Sequence, residues 1–476
     1  MTSIPNKTPA LSEILSGTVL VPGAGISGVG IARLLADLNV DVLIADANET
    51  ARDRAMEVAD VAGIHPDQAM TELSRFSCVV TSPGWRPDTP LLQAAQAAGL
   101  EVLGDVELCY RLDRASVFGP PRTWMVVTGT NGKTTTTSML ASIMQHVGYQ
   151  AEAVGNIGVS VAEAVSAPQR IDVLVAELSS FQLHWSSQLV PDVGVLLNLA
   201  EDHIDWHGSM AAYAAAKAKV LAAPLAIAGL DDALVQQYVT TPVMGFTMHP
   251  PQVGQVGVTN GTIVDNLHGT PRNIVPVAGL EPPGPAGIYD ALAATAAAVA
   301  LVPDLQPSVI AQALQSFKVA GHRGQQVAEA RGIVAIDNSK ATNPHAADSA
   351  LAGHDSVIWV AGGQLKGAEV DDLIARHAHR LKAVALMGVD RNIIRESVEK
   401  HAPGVRHRPA IGHGRGVRMG RHPSQQRRRH RARPCGGIAR HVHRHGAAGR
   451  ALCRIGFCPL RWCRTEIIAV FCLLWN

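Results

Sequence analysis

Short apolar runs alternate with Gly-rich turns and amphipathic stretches along roughly the first 400 residues. Thr18 to Val21 reads as a buried strand, Val29 to Leu38 carries a helical period, and Asp41 to Ala45 is a second strand ending at Asp46, which together make a βαβ unit. Cys78 to Thr81 and Glu101 to Leu103 continue the alternation around an Ala-rich helical stretch, so a first domain is expected over residues 1–112. A second unit opens with the strand Thr123 to Thr128, a Gly-containing loop and a helix through about Val147. DVLVAEL and DVGVLLNL then read as buried strands of a parallel sheet, apolar on both faces. After the Pro/Gly loop GLEPPGPAG, Ala291 to Leu301 is a helix, and VAIDNS and VIWVAGG restart strand-and-turn alternation. The pattern predicts an α/β protein with a central domain over 113–319 and a third domain over 320–404.

Beyond Gly404 the period is lost. Residues 405–476 hold sixteen Arg, no Lys and one acid, Glu466, so this tail carries +15 and the remainder −14, within a net charge of only +1. Five of the seven Cys (Cys435, Cys453, Cys458, Cys463 and Cys472) also fall there, leaving Cys78 and Cys109 upstream and no disulfide framework for the main body. Ala, Arg, Gly and Pro all have GC-rich codons, so we read the segment after about residue 405 as translated in a shifted frame and expect it to be disordered. As a natural segment it would read as a nucleic-acid-binding arm or, through its cysteines, a zinc site, but Cys453, Cys458 and Cys463 form no paired CxxC spacing, and a shifted frame accounts for composition and lost period together.

Length and composition fit several soluble domains: 476 residues exceed one ordinary core, and 47% hydrophobic against 17% charged residues is not a disordered composition. The amino terminus lacks a basic start followed by an apolar run, and the apolar run Ile467 to Trp475 is half a membrane span, so a cytoplasmic protein is expected.

The candidate chemistry begins in TWMVVTGTNGKTTTTSML, Thr123 to Leu140. A loop between a buried strand and a helix converges backbone N–H groups on an anion, and the helix's positive end adds to the field. Gly129 and Gly132 permit close approach, Thr130 and Asn131 lie between them, Lys133 reaches outer phosphates, and Thr134 or Thr135 offers a hydroxyl to Mg²⁺. The eight-residue P-loop pattern is not met, because Val127 stands where it requires Gly. Glu177, ending an apolar strand, offers a hard carboxylate to the same cation. Lys217 follows Tyr213 by one helical turn, on the same face. GAGISG, Gly23 to Gly28, is a second glycine-rich turn with Asp46 at the end of the next strand; taken literally it is a dinucleotide fingerprint, and an NAD-dependent dehydrogenase is the alternative reading.

GTNGKTTT on a strand-to-helix turn resembles the ATP loop of the Mur ligase and folylpolyglutamate synthetase superfamily. AELSSFQL (Ala176 to Leu183), NLAEDHIDWHGSMAAYAAAK (Asn198 to Lys217), GHRGQQV (Gly321 to Val327) and DNSKATNPHAA (Asp337 to Ala347) narrow the resemblance to its D-glutamate-adding members, over roughly residues 15–400. That resemblance implies an ATP-dependent amide-bond-forming ligase joining D-glutamate to UDP-N-acetylmuramoyl-L-alanine, working as a monomer with two Mg²⁺ ions. The architecture it implies is a Rossmann-like amino-terminal domain, a central P-loop-type ATPase domain and a Rossmann-like carboxy-terminal domain, incomplete here. Implied metal ligands are Thr134, Glu177, His203 and Lys217, the last as a carbamate. Lys133, His203, Lys217 and Arg323 are the implied catalytic groups. Asn156, Arg323, Asn338 and Lys340 join the loop around ATP. The UDP-sugar falls to Gly25, Ile26, Ser27, Gly28, Asp46, Asn48 and Ser179, and D-glutamate to Thr342 and Lys366. Two positions depart from the family: Asn338 replaces an acid, with the neighbouring Asp337 pointing to the other face of its strand, and GPAGIYDALAA lacks a His-Asn pair. The family's last segment, which meets the D-glutamate side chain, has no counterpart in the tail, so an inactive ligase remnant is the further alternative.

Overall fold

The structure is a computed structural model, described here for residues 11–319, 321–330, 333–365, 368–413, 416–419 and 467–474. The chain divides into two compact units, one of residues up to Val275 with Asp290–Leu314, the other of Pro276–Tyr289 with the residues from Gln315 onward.

The first unit holds two sheets. Thr18–Pro22 forms the middle of a five-stranded parallel sheet, with Val42–Ala45 and then Ala62–Ile64 on one side, Phe76–Thr81 and then Glu101–Gly104 on the other. Strand order reverses beside Thr18–Pro22, so the glycine turn that follows this strand opens into the crevice where doubly wound sheets take ligands. The helix Ile26–Asp37 leaves that turn at once, because a Cβ on Gly28 would collide with the carbonyl oxygen of Gly23.

In the second sheet, of nine strands, Thr123–Thr128 lies between Val173–Glu177 and Val193–Leu196, all parallel and almost wholly buried. Apolar side chains on both faces are what a strand covered by helices requires. Outward from Val193–Leu196 the sheet continues through Leu225–Gly229 and Met244–Phe246 to the antiparallel pair Gln255–Thr259 and Thr262–Asn266. That pair turns on Asn260 and Gly261, both at positive φ. Asn-Gly is a hairpin signal that the sequence reading passed over.

The helix Asp105–Arg114 ties the two sheets together through buried charge. Glu107, fully buried, accepts from Arg111 Nε (2.8 Å) and from the backbone N–H groups of Gln188 and Leu189, while Arg111 also donates to Glu101 (2.7 Å). Asp113, also fully buried, accepts from Arg122 and from the indole N–H of Trp124.

The second unit holds a seven-stranded sheet, to which three short segments of the tail contribute strands. Ile467–Leu474 pairs in parallel with both Ile333–Asp337 and Val357–Gly363, filling an interior position, and Arg406–His413 and Gly416–Met419 extend one edge. Ile467–Leu474 is an isolated apolar run with no neighbouring turn or helix signal, so no period marks it in the sequence; residues 420–466, with the rest of the expectation of disorder, lie outside the described residues. Val470 is fully buried against Trp359, Val384 and their neighbours. Val470→Asp is expected to cost the second unit about 3–5 kcal/mol, the scale of an unpaired buried charge. Urea unfolding and loss of exchange protection in Ile333–Asp337 and Val357–Gly363 measure it; an unchanged midpoint contradicts this strand position.

Candidate functional site

The turn after Thr128 is shaped by two glycines at positive φ, Gly129 and Gly132, and the helix Lys133–Val147 starts directly from Gly132. Gly132 has no alternative, since a Cβ there would run into Oδ1 of Asp290, which also accepts from Thr136 Oγ1 at 3.1 Å. The first backbone N–H groups of a helix have no partner within it, so this turn presents donors and the positive end of a dipole together. Lys133 folds back over the turn and donates to the carbonyls of Gly129 (3.0 Å) and Thr130 (2.8 Å).

Glu177 stands at the mouth of the turn, nearly fully buried. One carboxylate oxygen accepts from Thr134 Oγ1 at 2.6 Å and the other from Asn156 Nδ2 at 2.9 Å. Thr135 is buried beside them. A hydroxyl and a carboxylate in direct contact at a helix start are a hard-oxygen pair of the kind Mg²⁺ takes. Among the described residues no three His, Cys, Asp or Glu side chains converge as a metal centre.

Lys217 is buried beneath the same turn, donating to the carbonyl of Gly129 (2.8 Å) and to Thr128 Oγ1 (3.3 Å), with its ammonium 4.9 Å from the centre of the Tyr213 ring. Burial and, second, the Lys133 cation hold its pKa well below the ordinary lysine range, against the pull of Asp202 and Glu177. His203 sits at φ 55, a left-handed conformation uncommon for a non-glycine residue. It lies 3.7 Å from Asp202 and edge-on to Phe181, and burial lowers its pKa while Asp202 opposes that shift. The same segment adds Trp206 and His207, which stack into a cluster with Phe181 and His184; His207 Nε2 is 2.9 Å from Ser180 Oγ.

The glycine-rich turn of the first sheet leaves Ile26 at 87% exposure, with Gly25 as the helix N-cap and open space around it. Ser27 hydrogen-bonds the carboxyl of Asp105, whose pKa burial pushes up to about 6 against the bonds from Val106 N–H and Ser27. Asp46 spends both oxygens on the loop, accepting from Ala24 N–H (2.9 Å) and Asn48 N–H (2.8 Å); Asn48 caps the following helix, and Ser179 caps the helix Ser180–His184 in a capping box with Gln182.

In the second unit the GHRG and DNSKAT segments form one hydrogen-bonded structure. Asp337, buried, pairs with His322 Nδ1 at 2.7 Å, its carbonyl accepts from Gly324 N–H, and His322 O accepts from Lys340 N–H. Arg323, Asn338 and Thr342 are half-buried and Lys340 is exposed; Lys366 lies outside the described residues. Asn198, Asp290, Asp105 and His322 are site neighbours that the sequence reading did not single out. A polar residue directly after an apolar core strand was the available signal for Asn198.

A strand-to-helix glycine turn on one sheet and a second glycine turn on another are the features by which the chain compares with Mur ligases. The chain matches the models of the Mur ligase MurD-like N-terminal domain over residues 17–104 and of the Mur ligase middle domain over residues 127–253. It is 61% identical over 400 residues to a UDP-N-acetylmuramoylalanine–D-glutamate ligase of Corynebacterium diphtheriae, covering 82% of this chain and 84% of that one. It is 46% identical to one of Mycobacterium avium, over 83% of this chain and 81% of that one. A crystal structure of a UDP-N-acetylmuramate–alanine ligase from Thermotoga maritima shares the fold, with TM-score 0.53 and 16% identity over 97% of this chain and 96% of that one. The chain therefore belongs to the family of UDP-N-acetylmuramoylalanine–D-glutamate ligases. Among the described residues no helix is long and apolar enough to cross a membrane.

His207 gives a pH signature. Burial first, then His184, His203 and Lys217, lower its pKa to about 4. Because the folded pKa lies below the unfolded value of about 6.5, the unfolded chain binds the proton first, and stability falls as pH drops from about 6.5 towards 4. For a partly exposed ring the effect is on the order of 1 kcal/mol after solvent screening. Thermal melts between pH 7 and 4.5 are expected to fall less steeply for His207→Gln than for the parent chain; equal slopes contradict the assignment.

Proposed function

We propose that the chain joins D-glutamate to UDP-N-acetylmuramoyl-L-alanine at the expense of ATP, in the cytoplasmic assembly of peptidoglycan precursors, as a monomer. The working domains are residues 1–112 for the sugar nucleotide, 113–319 for ATP and 320–404 for the amino acid. What carries this reading is the 61% identity to a ligase of that name, joined to a phosphate turn with Thr134, Glu177 and Lys217 packed around it.

A carboxylate resists amine attack because its leaving group would be oxide, so the alanyl carboxylate must first take the γ-phosphoryl group of ATP. Lys133, swung from its own loop carbonyls onto the transferred phosphoryl oxygens, neutralises charge as it accumulates, and the helix start holds the phosphates in line. Thr134 and Glu177 would hold Mg²⁺, with His203 and carbamoylated Lys217 at a second ion; the metal supplies further charge neutralisation when bound. The depressed basicity of Lys217 supports the carbamate, since CO₂ adds to a neutral amine and releases one proton. Asn156 serves the nucleotide in this reading, and Arg323, Asn338 and Lys340 are the residues of the second unit that the family resemblance assigns to it. Gly25 to Gly28 with Asp46, Asn48 and Ser179 serve the UDP-sugar, and Thr342 and Lys366 serve D-glutamate. The D-glutamate amine then displaces phosphate through a tetrahedral intermediate, and positioning rather than a nucleophilic side chain accounts for the rate.

Purified chain is expected to release phosphate from ATP only when UDP-N-acetylmuramoyl-L-alanine and D-glutamate are both present. Lys133→Ala is expected to lower kcat/KM by about 10²–10³, the scale of losing one preorganised charge contact. A folded chain that releases no phosphate with all three substrates present is the inactive remnant instead. Reading the coding DNA in the other two frames past codon 405 tests the shifted-frame origin of the tail: family-like sequence in one of them is expected.

A further inference from the structure

Besides Lys217 beneath Gly129, one side chain grips the middle of the turn. Asn198 follows the core strand Val193–Leu196, whose last hydrogen bonds carry on through Leu197 N–H to the carbonyl of Thr128 (2.9 Å). Its side-chain amide meets both backbone groups of Asn131: Oδ1 accepts from Asn131 N–H at 2.9 Å, and Nδ2 donates to Asn131 O at 3.0 Å. These two partners fix which way the amide points, since a donor must face the carbonyl and an acceptor the N–H. The Asn198 carbonyl accepts from Thr130 N–H at 2.9 Å. One residue thus meets three of the four backbone polar groups at the two positions between Gly129 and Gly132, the fourth, the Thr130 carbonyl, accepting from Lys133. Gly129 presses on the same place: a Cβ there would stand 2.8 Å from Leu197 Cβ and 3.2 Å from Asn198 N.

The connection continues on the other side of Asn198. Ala200 N–H donates to Thr130 Oγ1 at 2.9 Å, and Thr130 Oγ1 lies 3.0 Å from the hydroxyl of Tyr213, the ring that sits against Lys217. Leu199 N–H is fixed by Asp232 (2.8 Å). The Thr130 and Asn131 N–H groups are therefore committed to the sheet, and the anion is left to the helix start from Gly132 onward.

We propose that Asn198 is a positioning residue for the nucleotide: its amide sets the height of the turn above the sheet, so that the helix-start donors and Lys133 address the phosphates at bonding distance. This rests on the ligase reading of the turn and adds to it a residue that touches no substrate. A backbone turn gripped by a bidentate amide is displaced when the amide is lost, whereas the other glycine turn belongs to a different sheet and Asn198 bonds Thr130 and Asn131.

The test is paired calorimetry on the full chain, with Mg²⁺·AMP-PNP and UDP-N-acetylmuramoyl-L-alanine titrated separately. Asn198→Ala is expected to raise the Kd for AMP-PNP about ten- to fiftyfold, the scale of two neutral hydrogen bonds, and to leave the Kd for the sugar nucleotide within about twofold. Asn198→Asp keeps the volume but opposes a carboxylate oxygen to the Asn131 carbonyl, and is expected to weaken AMP-PNP at least as much. AMP-PNP affinity within about twofold of the parent in both variants overturns the assignment. So does an equal loss for both ligands, or an Asn198→Asp chain that no longer unfolds cooperatively, since either makes Asn198 a general fold residue. A parent chain that binds no AMP-PNP overturns the ligase reading and this assignment with it, and so is distinct from the other outcomes.

Discussion

The carbonyl oxygen of Gly129 accepts from two ammonium groups, Lys133 at 3.0 Å and Lys217 at 2.8 Å, and the rest of the site is arranged around that crowding. Two cations on one neutral acceptor repel each other, and the buried one gives way, which is why Lys133 is the second cause, after burial, of the depressed basicity of Lys217. The turn thus gathers two amines on one neutral oxygen. An anion placed there draws Lys133 off the carbonyl, restores a full partner to Lys217 and meets the helix dipole with the favourable sign. Glu177 keeps its negative charge while accepting from Thr134 and Asn156, and with Asp202 it opposes the lowering at Lys217 without outweighing burial and Lys133.

That electrostatic arrangement needs a rigid support, and the chain supplies it with charges buried between the sheets. Glu107 spans Arg111 and the backbone at Gln188 and Leu189, just past the helix that Ser179 begins; Asp113 joins Arg122 and Trp124 at the start of the phosphate strand. Buried ion pairs add little net stability, since desolvation offsets their attraction, but a misplaced partner leaves an uncompensated charge. The penalty falls on alternative packings of the helix Asp105–Arg114, so the network specifies one relation between the two glycine turns rather than strengthening it.

Much of this was legible in the sequence where a local pattern and a chemical requirement coincide. The strand Thr123–Thr128 and the helix ending at Val147 have the bounds that the apolar run and the glycines predict. Tyr213 and Lys217 share a helix face, as their spacing requires, yet a lone lysine on an Ala-rich helix reads as solvated; only the packing of that helix under Gly129 reveals a buried amine. Asp337 turns away from Asn338 as strand alternation predicts, but its partner His322 comes from a preceding loop that no period connects to it. Asn198 is the sharpest case. Its role is defined by hydrogen bonds to backbone 67 residues earlier, and backbone groups leave no signature in a sequence.

The strand Ile467–Leu474 separates what specifies a fold from what specifies an activity. An interior position in a parallel sheet asks for backbone donors and acceptors in register and for apolar bulk on both faces. Many sequences meet those terms, so an eight-residue apolar run can fill the place between Ile333–Asp337 and Val357–Gly363 whatever its origin. Ligand recognition asks for particular atoms at particular heights, as Thr134 against Glu177 or Asn198 against Asn131 do, and no apolar run supplies them. A tail of altered sequence can thus complete a sheet without completing a site. The second unit can keep its sheet while any recognition by it rests on residues outside the strand.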